Sequence, residues 1–287
     1  MADPLHRIAF FKAARLFATV LCGFAAAPAF AAPCGDDPSG FRAWISAFKE
    51  EAAASGVSRA VIERALRDVS YDRRVIGRDR GQGGVFKKSF EDFSARLVTP
   101  RRVSRGKALM RRHAALLAKI ERQYGVPGAV VVAIWGLETG YGADNGRFPI
   151  FPALATLAYD CRRAETFRAE LLDALRIVER GDMKPEEMRG DWAGEIGQTQ
   201  LLPSSYLQFA VDFNGDGTRD LIRDTADALA STANFLQAKG WRRGEGFREG
   251  EPNFAVLLEW NKARVYSKTI ALLADKIAGG ARIGAGD

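Results

Sequence analysis

Cysteine is sparse in this chain, three residues in 287. Cross-links therefore cannot carry the fold, and an apolar core must. Beyond residue 31 no run is long and apolar enough to cross a membrane as a helix. There is no cluster of basic residues with interleaved aromatics, which argues against a nucleic-acid surface. There is no internal repeat and no low-complexity tract.

What is present begins with an address. Arg7, Lys12 and Arg15 give a positive start, an apolar stretch covers residues 16–30, and Ala29-Phe30-Ala31 supplies small residues. This pattern predicts a secretory signal over residues 1–31 with cleavage after Ala31, leaving residues 32–287 as the working domain. Leu21 before Cys22 and Pro33 before Cys34 fit a lipoprotein signal poorly. The expectation is therefore a soluble exported protein. Losing three Lys/Arg and one Asp with residues 1–31 takes the formal net charge from +7 to +5. A basic surface suits an anionic wall polymer or a membrane surface, and serves solubility equally well. Cys34 and Cys161 would survive export, either paired in an oxidising compartment or as two thiols.

The hydrophobic period is helical almost throughout. Phe41, Trp44, Ile45 and Phe48 share one face. Val61, Ile62, Ala65 and Leu66 share another, behind Ser58 as N-cap. Phe86, Phe90, Phe93 and Leu97 mark a third. Residues 104–124 read as one long amphipathic helix stopped by Gly125 and Pro127, and 164–180 and 224–239 as two more stopped by glycines. Residues 254–258 read as a short strand, 262–277 as a final helix, and 242–252 as a linker. The fold class expected is mainly α with a small β element.

Two segments carry chemistry. The apolar run 128–137 is too short for a membrane and reads as a buried core helix, followed at once by Glu138, Thr139, Gly140 and Tyr141. A carboxyl half shielded from water holds its proton nearer neutral pH, as a general acid must. An ordinary Glu in a helix's last turn is the other reading. Residues 190–206 are rich in glycine and amides and then enter a helix behind Pro203, Ser204 and Ser205. Such a segment suits a groove for a polar, uncharged polymer, or is a surface loop. A third segment, Asp212-Phe213-Asn214-Gly215-Asp216-Gly217-Thr218-Arg219-Asp220, has the spacing of a calcium loop. Asp212, Asn214 and Asp216 would bind through side chains and Thr218 through its carbonyl. Arg223 stands where the bidentate Glu is expected, so Asp227 would close the site, or less aptly Asp224. A metal-free turn is the alternative.

Together these segments resemble the lytic murein transglycosylase B family, with its lysozyme-like core. The resemblance is carried by Trp135-Gly136-Leu137-Glu138-Thr139, Ala153-Leu154-Ala155-Thr156-Leu157, Gly197-Gln198-Thr199-Gln200 through Ser205-Tyr206, and Val211-Asp212-Phe213. It implies a helical N-terminal part over about 40–125, a lysozyme-like core over about 126–241 and a C-terminal part over about 253–280. It implies a periplasmic enzyme that cleaves the β-1,4 bond between N-acetylmuramic acid and N-acetylglucosamine without water, leaving 1,6-anhydro ends. Glu138 would act alone as acid and then base, with no cofactor for the chemistry and calcium at most structural. Peptidoglycan glycan strands would be the partner. The resemblance places Gln200, Asn261, Trp260, Phe93, Phe235 and Tyr266 along the substrate cleft. Asp191 and Glu195 depart from it, since small or hydroxyl residues are usual there, and the connection 241–253 is shorter than usual. A hydrolase using Asp191 as second carboxylate and a non-catalytic wall-binding protein are the rival readings.

Overall fold

The structure is a computed structural model that describes residues 33–81 and 89–279. The predicted signal segment 1–31 and Phe86 lie outside the described residues. Thirteen α-helices occupy the described part. The N-terminal group comprises α1 (Phe41–Ala54), α2 (Arg59–Leu66), α3 (Arg73–Arg80), α4 (Phe90–Leu97), α5 (Pro100–Arg112) and α6 (Ala114–Tyr124). The middle group comprises α7 (Gly128–Thr139), α8 (Ile150–Tyr159), α9 (Ala164–Glu179), α10 (Pro203–Phe209) and α11 (Thr225–Ala238). The chain ends in α12 (Phe254–Trp260) and α13 (Arg264–Ile277). One antiparallel sheet is present, β1 (Phe148–Pro149) with β2 (Arg189–Gly190), in the register Phe148 to Gly190 and Pro149 to Arg189.

α7 is the axis. Every residue in it except Glu138 is buried, because its sequence is apolar all round and such a helix is stable only when surrounded. α13, α5, α11 and α6 supply that surround. α8 and α9 pair beside it, and α10 rests on α9. Capping follows the sequence closely. Ser58 accepts from the Val61 amide, Ser89 from Asp92 and Thr99 from Arg102, each satisfying a donor that the first turn leaves open.

Three sequence expectations are corrected. The predicted single helix over 104–124 is two, α5 and α6, broken at His113. α5 packs toward α7 and α13 whereas α6 packs toward α7 and α11, and one straight rod cannot serve both. The predicted strand over 254–258 is helix α12. It buries Phe254, Val256 and Leu257 on one helical face, and five consecutive apolar residues do not distinguish the two periods. The predicted linker 242–252 is an ordered turn. Asn253 accepts from the Arg242 amide and donates to the Arg242 and Glu245 carbonyls, while Phe247 is fully buried against Trp241.

Cys34 and Cys161 form a disulfide across 127 residues of sequence, with Cα atoms 4.9 Å apart. It ties the start of the described chain to the turn between α8 and α9. The same turn is held by Arg162 and Arg163, both of which bond Asp79 at the end of α3. Burial pushes the Asp79 carboxyl up, but the two guanidiniums pull harder and hold it below the usual range.

Candidate active site

Glu138 is the penultimate residue of α7, and the chain turns immediately after it. Gly140 takes the left-handed conformation (φ 60°) and returns its amide to the Trp135 carbonyl. Tyr141 follows with φ 65°, rare for a residue with a side chain. Its hydroxyl donates to the Arg102 carbonyl on α5 at 2.7 Å, which holds the turn in place. Thr139 donates to the Gln198 carbonyl at 2.6 Å and accepts from the Gly142 amide at 2.8 Å. The end of α7 is thus clamped to the glycine-rich segment 190–201.

Two side chains from the far end of the sequence reach Glu138. The Trp260 indole and the Tyr266 hydroxyl both donate to Glu138 Oε1, each at 2.9 Å. No described protein group donates to Oε2. Burial raises the Glu138 carboxyl, the Trp260 and Tyr266 donors pull it back, and the Asp191 charge raises it again, for a net value of about 7. Glu138 therefore exchanges a proton near neutral pH. It does so in a cavity of about 340 Å³ lined by Asp191, Glu195, Gln200, Leu201, Leu202, Ser205, Phe235, Glu259, Trp260 and Asn261.

The structure brings most of the expected residues together. Glu138, Asp191, Gln200, Phe235, Trp260 and Asn261 share this wall. Phe235 stands edge-on to Trp260, with ring centres 5.1 Å apart. Gln200 sits at φ 55°, and its amide donates to the Asn145 and Gly197 carbonyls. Two roles change. Tyr266 touches Glu138 itself rather than standing on the open wall. Phe93, expected on the cleft, is 7% exposed and packs edge-on behind Tyr266 at 6.3 Å. Asp191 is exposed and accepts from the Trp192 amide at 2.8 Å. Glu195 is part-buried, and burial, together with Asp191 and Glu138, raises it to about 7.

Sequence reasoning did not foresee that Trp260 and Tyr266 would hold Glu138. They lie 122 and 128 residues away in sequence, and no local pattern joins such distances. The positive φ of Tyr141 did have a signal, since it lies between two glycines that also adopt the left-handed region.

The loop 212–220 keeps part of its expected form. Asp212 accepts from the amides of Gly215, Asp216 and Gly217, and Gly217 adopts φ 94° at the sixth position. Asn214, Asp216 and Asp224 side chains meet through the Asn214 amide. Asp227 has another task. It is fully buried, and its two oxygens accept from the Phe213 and Asp220 amides at 2.7 and 3.0 Å, bracing both ends of the loop. Arg223 turns away to Asp220 and Glu187. Among the described residues no three His, Cys, Asp or Glu side chains converge as a chelate. Oxygens at alternate positions nonetheless suit a hard cation, with the Asn214 amide oxygen and Thr218 carbonyl completing the set.

Comparison with known proteins places this geometry. Residues 40–249 match the family described as Transglycosylase SLT domain. A stretch of 154 residues, 53% of this chain, is 38% identical to membrane-bound lytic murein transglycosylase B of Escherichia coli strain K12 and spans 42% of that protein. The solved structure of SltB3 from Pseudomonas aeruginosa in complex with NAG-NAM-pentapeptide superposes with a TM-score of 0.80 at 32% identity, over 86% of this chain and 82% of that one. The same protein with NAG-anhNAM-pentapeptide gives 0.79 at 33%, over 86% and 81%. The Escherichia coli lytic transglycosylase Slt35 in complex with calcium gives 0.73 at 25%, over 86% and 96%.

Proposed function

The chain belongs to the transglycosylase SLT domain family, and from that premise we propose that it is an exported lytic murein transglycosylase in which Glu138 serves as both acid and base. One observation carries the reading: the sole residue of α7 that is only part-buried is a carboxyl with a value near 7, held on one oxygen and opening into a sugar-sized cavity. Protonated Glu138 gives its proton to the glycosidic oxygen as the bond to C1 of the muramoyl sugar breaks. The resulting carboxylate takes the proton of the C6 hydroxyl, whose oxygen closes on C1. The products are a free GlcNAc end and a 1,6-anhydro-MurNAc end, and Glu138 returns to its protonated state. A tethered hydroxyl stands in for the second carboxylate of hydrolases and gains from proximity. Trp260 and Phe235 offer apolar faces to sugar rings, and Gln200 and Asn261 offer amides to sugar hydroxyls.

Asp212, Asn214, Asp216 and the Thr218 carbonyl would hold a calcium ion. The ion would cross-link the loop ahead of α11 and take no part in the chemistry.

The deciding experiment is mass spectrometry of the products released from purified sacculi by the protein and by Glu138→Gln. Anhydro-muramoyl products from the unaltered protein alone are expected. Reducing-end products would instead make it a hydrolase and bring Asp191 forward. No products, with sacculus binding retained, would make it a wall-binding protein.

A further inference from the structure

The reaction above gives Glu195 no part, yet its position is fixed with care. The Glu195 carbonyl accepts from the Asp191 amide at 3.2 Å, and the next residue, Ile196, bridges to both Gly190 and Leu201. A Cβ at Gly190 would lie 1.7 Å from that carbonyl oxygen, so residue 190 must be glycine for the segment to close. The side chain so anchored lines the Glu138 cavity. Its Oε2 is shut off from water and has no hydrogen-bond partner. An oxygen buried without a donor is costly on a carboxylate and less so on the neutral acid.

Burial first, and then the charges around it, set the form of Glu195. Asp191 acts on it from its own segment and Glu138 from the end of α7, while Glu259 at the end of α12 lines the same cavity. Lys262 is bonded to Glu259 at 2.6 Å, and Lys239 acts on Glu259 as well. Among the described residues no cation pairs with Glu195, and burial, with the Asp191 and Glu138 charges, favours its neutral acid over the pull of the Glu195 and Ala193 amides. A neutral carboxylic acid has an O–H to give.

We propose that Glu195 is a specificity-determining hydrogen-bond donor, its neutral carboxyl binding an acceptor oxygen of the sugar seated beside Glu138. The inference rests on the glycan-cleft reading above. It explains why an acid occupies a site where the chemistry needs none.

The test separates binding from turnover. In the Glu138→Gln background, which cannot cleave, calorimetry would follow binding of a tetrasaccharide of alternating N-acetylglucosamine and N-acetylmuramic acid at pH 5.5 and 8.5. With Glu195 present, affinity is expected to fall about tenfold as the pH rises, since the donor is lost on ionisation. Adding Glu195→Gln, which keeps a donor that cannot ionise, should leave affinity within about twofold of the pH 5.5 value at both pH values. Adding Glu195→Ala should weaken binding about tenfold already at pH 5.5. Equal affinities for the Gln and Ala forms, or a pH-independent affinity with Glu195 intact, would overturn the proposal while leaving the cleft reading standing. No binding by any of the three would overturn both.

Discussion

In the proposed reaction Glu138 carries its proton into the first half and loses it for the second, and its surroundings serve both needs. Burial keeps the proton on, while the Trp260 and Tyr266 donors keep the carboxylate from becoming too costly. Because the free enzyme must be protonated, kcat/KM should hold below about pH 7 and fall tenfold per unit above it. A steady-state pH profile on solubilised glycan checks this. Tyr266→Phe removes one donor that favours the charged form. The basic limb should then move up by about one pH unit and kcat should fall about tenfold, since the base step loses its support. An unmoved limb would show that Tyr266 packs against Glu138 without tuning it. At this scale the sequence was legible for Glu138, whose place after an apolar run marks it. It was not legible for Tyr266, whose role depends on a contact across 128 residues.

Between residues and molecule stand the elements, and α10 shows how one element completes another. The residue preceding α10 is Leu202, which offers no capping side chain. Glu170 on α9 supplies the cap instead, accepting from the Ser204 amide at 2.9 Å and the Ser204 hydroxyl at 2.7 Å. Burial raises the Glu170 carboxyl, and the two Ser204 donors partly offset that. Glu170→Ala should cost about 1–2 kcal/mol, read as a fall in melting temperature of about 2–8 °C. It should also speed hydrogen exchange at Ser204 and Ser205, which begin the wall holding Gln200 and Leu202. Unchanged exchange there would mean that α10 holds its own first turn. The sequence marked this helix start through Pro203 but could not show the cap, which comes from 34 residues earlier. The same limit explains α5 and α6, whose break follows from what each packs against.

For the whole molecule, one disulfide and one proposed calcium loop bear on stability, and neither lines the cavity. The Cys34–Cys161 bond closes a 127-residue span, and constraining the unfolded chain over so long a loop is worth about 2–5 kcal/mol. Cys34→Ser with Cys161→Ser should therefore lower the denaturation midpoint while leaving kcat nearly unchanged. A large fall in kcat would tie this bond to the cleft. Excess calcium should raise the melting temperature above that in chelator by several degrees, by binding only the folded loop. Identical melting curves would remove calcium from the account. By itself the sequence determined the helical class, the ends of several helices, the acid at the end of α7 and the alternating oxygens of residues 212–218, because these depend on neighbours within a turn or two. Only the tertiary structure decided that Trp260 and Tyr266 meet Glu138, that Phe93 stands behind them, that Asp227 braces the loop, and that Glu195 is enclosed. A side chain's environment is made by whatever the chain folds against it, and those partners lie tens to more than a hundred residues away.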